Sequence, residues 1–461
     1  MERVLFAVSD LRSFATRIRP VLGDGSTLLI CSHVAQLLLR IGSSLIVTRL
    51  LSPEAYGVIG IITSISYILV MISDMGLRAY IIRHEHGGDE LLQSVWTVRL
   101  LRNVAIFAIM FVGAGVFAEL YKAPEISLAI RICAAPFLID ACSSLAGATT
   151  ERNRGVVRLT VVEFTRFLMV TVTTIIAAYF LRNYWAIVIG MFVNSIVGVI
   201  ASYTVLKGPP VRFRLEGDHV RDLWRFWRII IPSSIITLVL TQTNTVIMAR
   251  FFPMDELGKF SIATTLSAAV MGVSTEYVMR VFFPRFAEAN RSSIEQAKEI
   301  YYSCRRMVML FFAFGIGGLI GGGELLIRIL YNEEYLGTGI YLSLLCLTPL
   351  ARLISLPAEQ AIITRGFIRV ALNANVLRLG WIAVAGPIAY IGIGPLALIA
   401  VFCLAETAAL PYFLWHLKRY DLLDLREESY LIGAMLVGAA IGYVCYMASE
   451  ALIASGALPN F

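Results

Sequence analysis

The sequence predicts an all-α polytopic membrane protein, and three observations carry that prediction. Of 461 residues, 58% are hydrophobic and 15% charged, with a mean hydropathy of +0.76. Soluble domains sit nearer about 45–50% apolar and about 25% charged. The apolar residues fall in long unbroken runs instead of alternating strands of about ten residues, which selects helices over a barrel. The basic residues collect between alternate runs, as they do in cytoplasmic loops. A soluble enzyme cannot cover this much apolar surface, and disorder needs the opposite composition.

A span needs about 20 mostly apolar residues, and thirteen runs approach this in chain order. Ser26–Thr48 follows a basic segment with Arg3, Arg12, Arg17 and Arg19. It is too long for a signal peptide and lacks a small-residue cleavage site, so it reads as a retained first span. Tyr56–Ser73 follows a Ser-Pro turn. Val104–Ala118 is short and is expected to begin nearer Trp96. Ile126–Leu145, Thr160–Phe180 and Trp185–Leu206 complete a first set of six. The polar stretch 207–228 interrupts the pattern. Ile229–Ala249, Phe260–Met279, Met307–Ile327, Gly337–Leu356, Ala371–Ala389 and Leu396–Trp415 form a second set, and Tyr430–Ala454 is a thirteenth run. The expected organisation is a six-helix bundle over 1–206, a basic linker over 207–228, a second six-helix bundle over 229–418, and an extra helix over 419–461.

With the N-terminus in the cytoplasm, 29 Lys and Arg fall on the cytoplasmic side and 6 on the other, which orients the chain. The net charge of +7 has the same origin and points to no nucleic-acid partner. The seven cysteines lack any CxxC pairing, and six lie in apolar runs; they read as small packing residues. The external loops are too short for a glycosyltransferase or glycan polymerase. There is no GxxxxGK[ST], no HExxH and no nucleophilic triad. No catalytic residue, metal site or cofactor is expected. His84 and His86 read as solvated loop residues.

A repeat relates the two sets. Arg49-Leu-Leu-Ser-Pro-Glu-Ala-Tyr-Gly57 and Arg250-Phe-Phe-Pro-Met-Asp-Glu-Leu-Gly258 align at an offset of 201. The register continues through Thr63 with Thr264, Ser64 with Thr265, Ser66 with Ser267, and Ser73 with Ser274. A second loop pattern recurs as Leu120-Tyr121 before Pro124-Glu125 and Leu330-Tyr331 before Glu334-Tyr335. Copies separated by six spans keep the same topology. They are parallel repeats, with a central cleft expected between two bundles.

The LSPEAYG loop, Asp74-Met-Gly-Leu77, the Leu-Tyr-x-x-Pro-Glu loop and Leu330-Tyr-Asn-Glu-Glu-Tyr335 resemble the polysaccharide-transporter (Wzx-type) branch of the multidrug/oligosaccharidyl-lipid/polysaccharide flippase superfamily. The resemblance covers roughly residues 20–415. It implies a non-enzymatic flippase of the bacterial inner membrane, moving undecaprenyl-diphosphate-linked oligosaccharide (an exopolysaccharide or O-antigen repeat unit). Its implied partners are that glycolipid, the bilayer, and a glycan polymerase with its chain-length regulator. Many members carry an Asp in the seventh span, where this chain has Asn244. The alternatives are a multidrug antiporter of the same superfamily and a noncatalytic scaffold for envelope-glycan assembly.

Polar residues inside the spans are the candidate site. His33, Gln36, Arg40, Ser43 and Ser44 share one face of the first span by spacings of three and four. Adding the repeat offset reaches Ser234, Thr237, Thr241, Asn244 and Thr245. A stripe with His and Arg, repeated in both halves, reads as a polar transport surface; Ser and Thr alone read as interhelical hydrogen-bonding residues. Arg40 is expected to meet the diphosphate or to snorkel to the interface. Glu276, then Glu406, and Asp140 are the ion-coupling candidates, because intramembrane carboxylates usually face a cavity or partner. Glu276 is placed to pair with Arg280, and Glu163 with Arg166, while Asp140 and Arg131 lie on opposite faces of one helix. The run Gly315-x-Gly-Gly-x-x-Gly-Gly-Gly323 reads as close helix packing or a bend.

Overall fold

Backbone groups in hydrocarbon must be satisfied within the chain, and helices do this locally. The computed structural model describes residues 24–73, 77, 81, 88–152, 155–206, 208, 211–367 and 369–454. Among these residues every regular element is helical. The basic N-terminal segment, Asp74–Gly76, His84 and His86 lie outside the described residues. Ten helices among the described residues are long and apolar enough to cross a membrane. The protein is a multi-pass helical membrane protein.

The first runs give α1 (Asp24–Thr48), α2 (Pro53–Ile72) and α3 (Asp89–Leu120). Pro53 opens α2 where its missing N–H costs nothing, and Glu54 follows in the first turn, favoured by the helix dipole. The third helix begins well before Trp96. Asp89 and Glu90 suit its N-terminus, and Leu91, Leu92, Val95 and Trp96 pack with Leu77, Ile81, Leu145 and Leu223. That cluster extends the helix beyond its apolar run. The fourth run divides into α4 (Ser127–Ala141) and α5 (Ala146–Arg152), followed by α6 (Val156–Leu181) and α7 (Trp185–Thr204).

The seventh run continues the basic linker without a break as α8 (Gly217–Phe251). Then come α9 (Met254–Tyr277), a π-turn over Val278–Phe282, α10 (Phe283–Ser292), α11 (Ile294–Ser303) and α12 (Arg306–Leu330). The tenth run is interrupted at Cys346 between α13 (Thr338–Leu345) and α14 (Leu347–Thr364). The chain ends in α15 (Val370–Gly392), α16 (Pro395–Cys403), α17 (Ala405–Arg419) and α18 (Leu425–Ala454).

The chain divides into two compact units. One contains the described parts of Met1–Val47, Ser73–Glu119 and Ala123–Ile231; the other contains Thr48–Ile72, Leu120–Lys122 and the described parts of Pro232–Phe461. Within the first, α6 packs on α7 and α4 packs on α7. Within the second, the repeat becomes visible as geometry. Helices α2 and α9, repeat-related by sequence, pack directly together. A Cβ at Gly57 would lie 2.2 Å from the Met254 carbonyl oxygen, and one at Gly258 would lie 1.8 Å from that of Pro53. Pro53 and Met254 are themselves repeat partners. A Cβ at Gly60 would lie 2.7 Å from the Oγ of its own repeat partner, Ser261. These reciprocal contacts describe a local pseudo-twofold relation between parallel helices.

The glycines therefore set how closely the helices approach. Gly258→Val is expected to destabilise the protein by about 1–3 kcal/mol through overpacking, since backbone cannot move aside as a side chain can. The melting midpoint in detergent should fall; an unchanged midpoint would show that the seam is loose in solution.

The glycine run in α12 meets the last helix. Cβ atoms at Gly317 and Gly321 would lie 2.1 and 2.0 Å from the carbonyl oxygens of Met435 and Ala439, and one at Gly438 would lie 2.1 Å from that of Phe314. Gly322 is also bent out of helical geometry, at φ −116° and ψ 15°. The run serves both close packing and a bend. Contacts advance in the same direction along both helices, so α12 and α18 are parallel. Arg305 pairs with Glu428 and Arg306 with Glu427 at one end, and Arg328 meets Glu450 at 2.6 Å at the other. The thirteenth run thus accompanies α12 along its length, spanning about 45 Å at ~1.5 Å per residue.

Candidate functional site

The first stripe lies on α1. Arg40 is exposed, its Cζ 6.0 Å from the ring centroid of Phe167 in α6. No carboxylate lies within ion-pair reach of Arg40 among the described residues. Ser43 Oγ donates to the Arg40 carbonyl at 3.0 Å, and Gln36 and Ser43 are half-buried. The His33 side chain lies outside the described residues. The stripe thus presents one guanidinium beside an aromatic face, which suits an anion with an apolar attachment.

The second stripe, on α8, is tied to its own backbone and to neighbours. Thr241 is exposed and donates to the Thr237 carbonyl at 2.8 Å. Asn244 Nδ2 lies 3.9 Å from Cys403 Sγ of α16, while its Oδ1 is buried without a hydrogen-bond partner among the described residues. Gln242 accepts from Ser64 of α2 at 3.1 Å.

The three carboxylates have different surroundings. Glu276 at the end of α9 pairs with Arg280 of the following π-turn, on an exposed side, as its i,i+4 spacing predicts. Glu406, only 8% exposed, is held by Arg352 Nη1 at 3.0 Å, Arg378 Nη2 at 2.9 Å, and the Ser355 hydroxyl. Arg352 also faces Glu359 at 3.6 Å. Asp140 is half-buried and has no guanidinium within ion-pair reach among the described residues. Arg166 does not pair with Glu163 as the spacing suggests; its Nε donates to Asn194 of α7 at 2.7 Å. An amide acceptor on the facing helix is better aligned than a carboxylate on the same helix.

Glu406 therefore compensates two guanidinium groups. Glu406→Gln should cost about 3–5 kcal/mol by leaving the buried Arg378 without a carboxylate and Arg352 with Glu359 alone, whereas Glu276→Gln at the exposed pair should cost below about 1 kcal/mol. Comparing the two melting midpoints checks this. Equal shifts would remove Glu406 from its structural role.

A further contact was not visible in the sequence. Tyr335 in the loop after α12 is fully buried, and its hydroxyl donates to the Leu51 carbonyl at 2.8 Å. Its ring meets Tyr56 edge-on at 6.3 Å and Tyr331 at 5.8 Å. Burial pushes the Tyr335 hydroxyl well above its ordinary pKa, so it stays a donor at any working pH. The LSPEAYG and LYNEEY motifs are two sides of one contact. Next to it, Tyr341 donates to Glu256 at 2.7 Å, and Glu324 accepts from the backbone of Gly337 and Gly339 at 2.7 and 2.9 Å. The arrangement ties together the starts of α2 and α9.

Parallel repeat helices, short connecting loops and charged side chains within the long apolar helices define a multi-pass helical fold built on an internal repeat. The solved inward closed structure of the lipid II flippase MurJ superposes with a TM-score of 0.67 at 14% identity, covering 92% of this chain and 99% of that one. An inward-facing multidrug resistance MATE transporter of the superfamily gives 0.58 at 15% identity, covering 84% and 94%. These likenesses establish the fold. The chain belongs to the polysaccharide biosynthesis protein family, whose sequence profile matches residues 46–339. It is 24% identical over 309 residues to the succinoglycan biosynthesis transport protein ExoT of Rhizobium meliloti (strain 1021). That alignment spans 66% of this chain and 61% of the relative's length.

Proposed function

We propose that the protein is a flippase that carries an undecaprenyl-diphosphate-linked oligosaccharide from the cytoplasmic to the outer leaflet of a bacterial inner membrane. The carrying observation is the family match across 46–339 in a chain with the fold of a lipid II flippase. Transport needs no covalent chemistry from the chain, so no catalytic group is assigned. Arg40 holds the diphosphate, and its neighbour Phe167 faces the apolar part of the substrate. The contact of Leu51 and Tyr56 with Tyr335 is the external seal, which parts as α2 and α9 separate to release the glycolipid. A polymerase and chain-length regulator then take the delivered unit. The multidrug reading is weaker: drug cations want carboxylates, and the α1 stripe offers a guanidinium.

Depleting the protein in its host should leave lipid-linked oligosaccharide accumulated on the cytoplasmic side. Undiminished delivery of the unit to the outer surface would sink the proposal. In this reading the N-terminus and the 207–228 linker are cytoplasmic. A cysteine placed at Gly217 should resist an impermeant maleimide in intact cells and react in inverted vesicles; labelling from outside would reverse the orientation.

A further inference from the structure

Residues 211–228 carry more than a connection between helices. The inner side is pinned to the protein: Leu223 is 3% exposed in the cluster with Leu91, Leu92 and Trp96, and Val211 packs against the same cluster. The Arg214 backbone N–H donates to Thr97 at 3.1 Å, and Phe213 meets Trp96 edge-on at 5.9 Å. Arg214 itself is spent on Glu90 and Glu216, at 2.8 and 2.5 Å, and Glu216 also faces His219 at 3.2 Å.

The outer side is different. Phe213 and Leu215 are exposed, and Val220, Trp224 and Trp227 form a stripe at spacings of four and three along α8, with Trp224 56% exposed. Arg221, Arg225 and Arg228 form the adjacent stripe at the same spacing, and all three are exposed. Arg212, Arg221 and Arg228 have no carboxylate within ion-pair reach among the described residues. The side chains of Asp218 and Asp222 lie outside the described residues. Because α8 runs without a break from Gly217 into its apolar run, this segment sits where a helix leaves the bilayer. Apolar and aromatic residues beside a row of arginines are the composition of an interfacial helix.

We infer that residues 211–228 form a binding surface for anionic phospholipid headgroups of the adjoining leaflet. Arg212, Arg221 and Arg228 meet the headgroup phosphates, and Trp224 and Val220 lie at the depth of the glycerol backbone. A guanidinium near an anionic membrane surface enriches such lipid by roughly fivefold. This surface is separate from Arg40 and needs no transported substrate.

The test uses the full-length protein in nanodiscs of phosphatidylcholine containing brominated lipid as a quencher. Subtracting the emission of Trp224→Phe isolates the signal of that indole. Brominated phosphatidylglycerol should quench it severalfold more than brominated phosphatidylcholine at equal mole fraction. The triple variant Arg212→Gln, Arg221→Gln, Arg228→Gln should lose the preference with an unchanged melting midpoint. The corresponding triple Lys variant should keep it. Equal quenching by both lipids in the parent protein overturns the inference, as does a preference that survives in the Gln variant. Because quenching is read without glycolipid, a failed flippase assay leaves this result unaffected.

Discussion

Arg40→Ala protein should insert and fold normally yet flip a diphosphate-linked glycan at roughly a tenth to a hundredth of the parent rate, the loss expected for a charge-assisted contact. Arg40 stands about 24 Å along α1 from Asp24 at ~1.5 Å per residue. It is exposed and close to Phe167, with no carboxylate in reach among the described residues. Uncompensated charge in a span is costly, and a transient anionic partner offsets that cost. A guanidinium also binds phosphate oxygens in a fork and keeps its charge at every relevant pH. Outward movement of the anionic head group is downhill in an inside-negative potential by roughly 2.3 kcal/mol per charge per 100 mV. Under the proposed function, Arg40 holds the diphosphate in passage without trapping it. Arg40→Lys should keep part of the activity, because charge survives and the fork does not. A folded Arg40→Ala protein that transports at the parent rate would make Arg40 an interface anchor.

The second large effect concerns stability. Arg305 is 2% exposed and Glu428 is 6% exposed. The Arg305 guanidinium lies 4.3 Å from the centre of the Tyr301 ring and 5.1 Å from that of Tyr302. Arg305→Met removes one partner of a buried pair and should cost about 3–5 kcal/mol. It also strips α18 of its main polar link to the start of α12. The double variant Arg305→Met, Glu428→Leu should recover most of that loss, since two apolar groups leave no buried charge. The neighbouring Arg306–Glu427 pair, with Arg306 55% exposed, should contribute below about 1 kcal/mol. Melting midpoints of Arg305→Met, Glu428→Leu and the double variant in detergent decide it. A double variant no more stable than Arg305→Met would show that the pair acts through something other than charge compensation.

Much of the fold was legible because membrane insertion is read along one dimension. Apolar runs place the helices. The repeat was legible for a related reason. Pro53 and Met254 open α2 and α9, Glu54 and Asp255 meet their dipoles, and Gly57 and Gly258 admit the facing backbone. Each residue answers a local demand that both copies share. Glu276 with Arg280 was legible because both lie on one helix face.

What stayed hidden depends on which helices meet. Nothing in the run of Gly315–Gly323 names Met435 and Ala439 as the backbone it admits. Arg352 and Ser355 share a face of α14, but their convergence on Glu406 with Arg378 requires three helices to be placed. Tyr335 and Leu51 are separated by most of the family-matched region, and one carbonyl links them. Arg166 chose Asn194 over Glu163 because a facing helix can present an acceptor in line with Nε. The candidate stripes were found by periodicity, which identifies a polar face without saying what it faces.

The central claim is passage of a lipid-linked glycan through this chain. The most direct measurement reconstitutes the purified protein in vesicles with a fluorescent undecaprenyl-diphosphate oligosaccharide and adds impermeant dithionite. Without protein, only the outer-leaflet fluorescence should bleach. With protein, the inner pool should become bleachable in a protein-dependent second phase that Arg40→Ala suppresses. An inner pool that stays protected at every protein density, in vesicles shown to contain folded protein, would contradict the account.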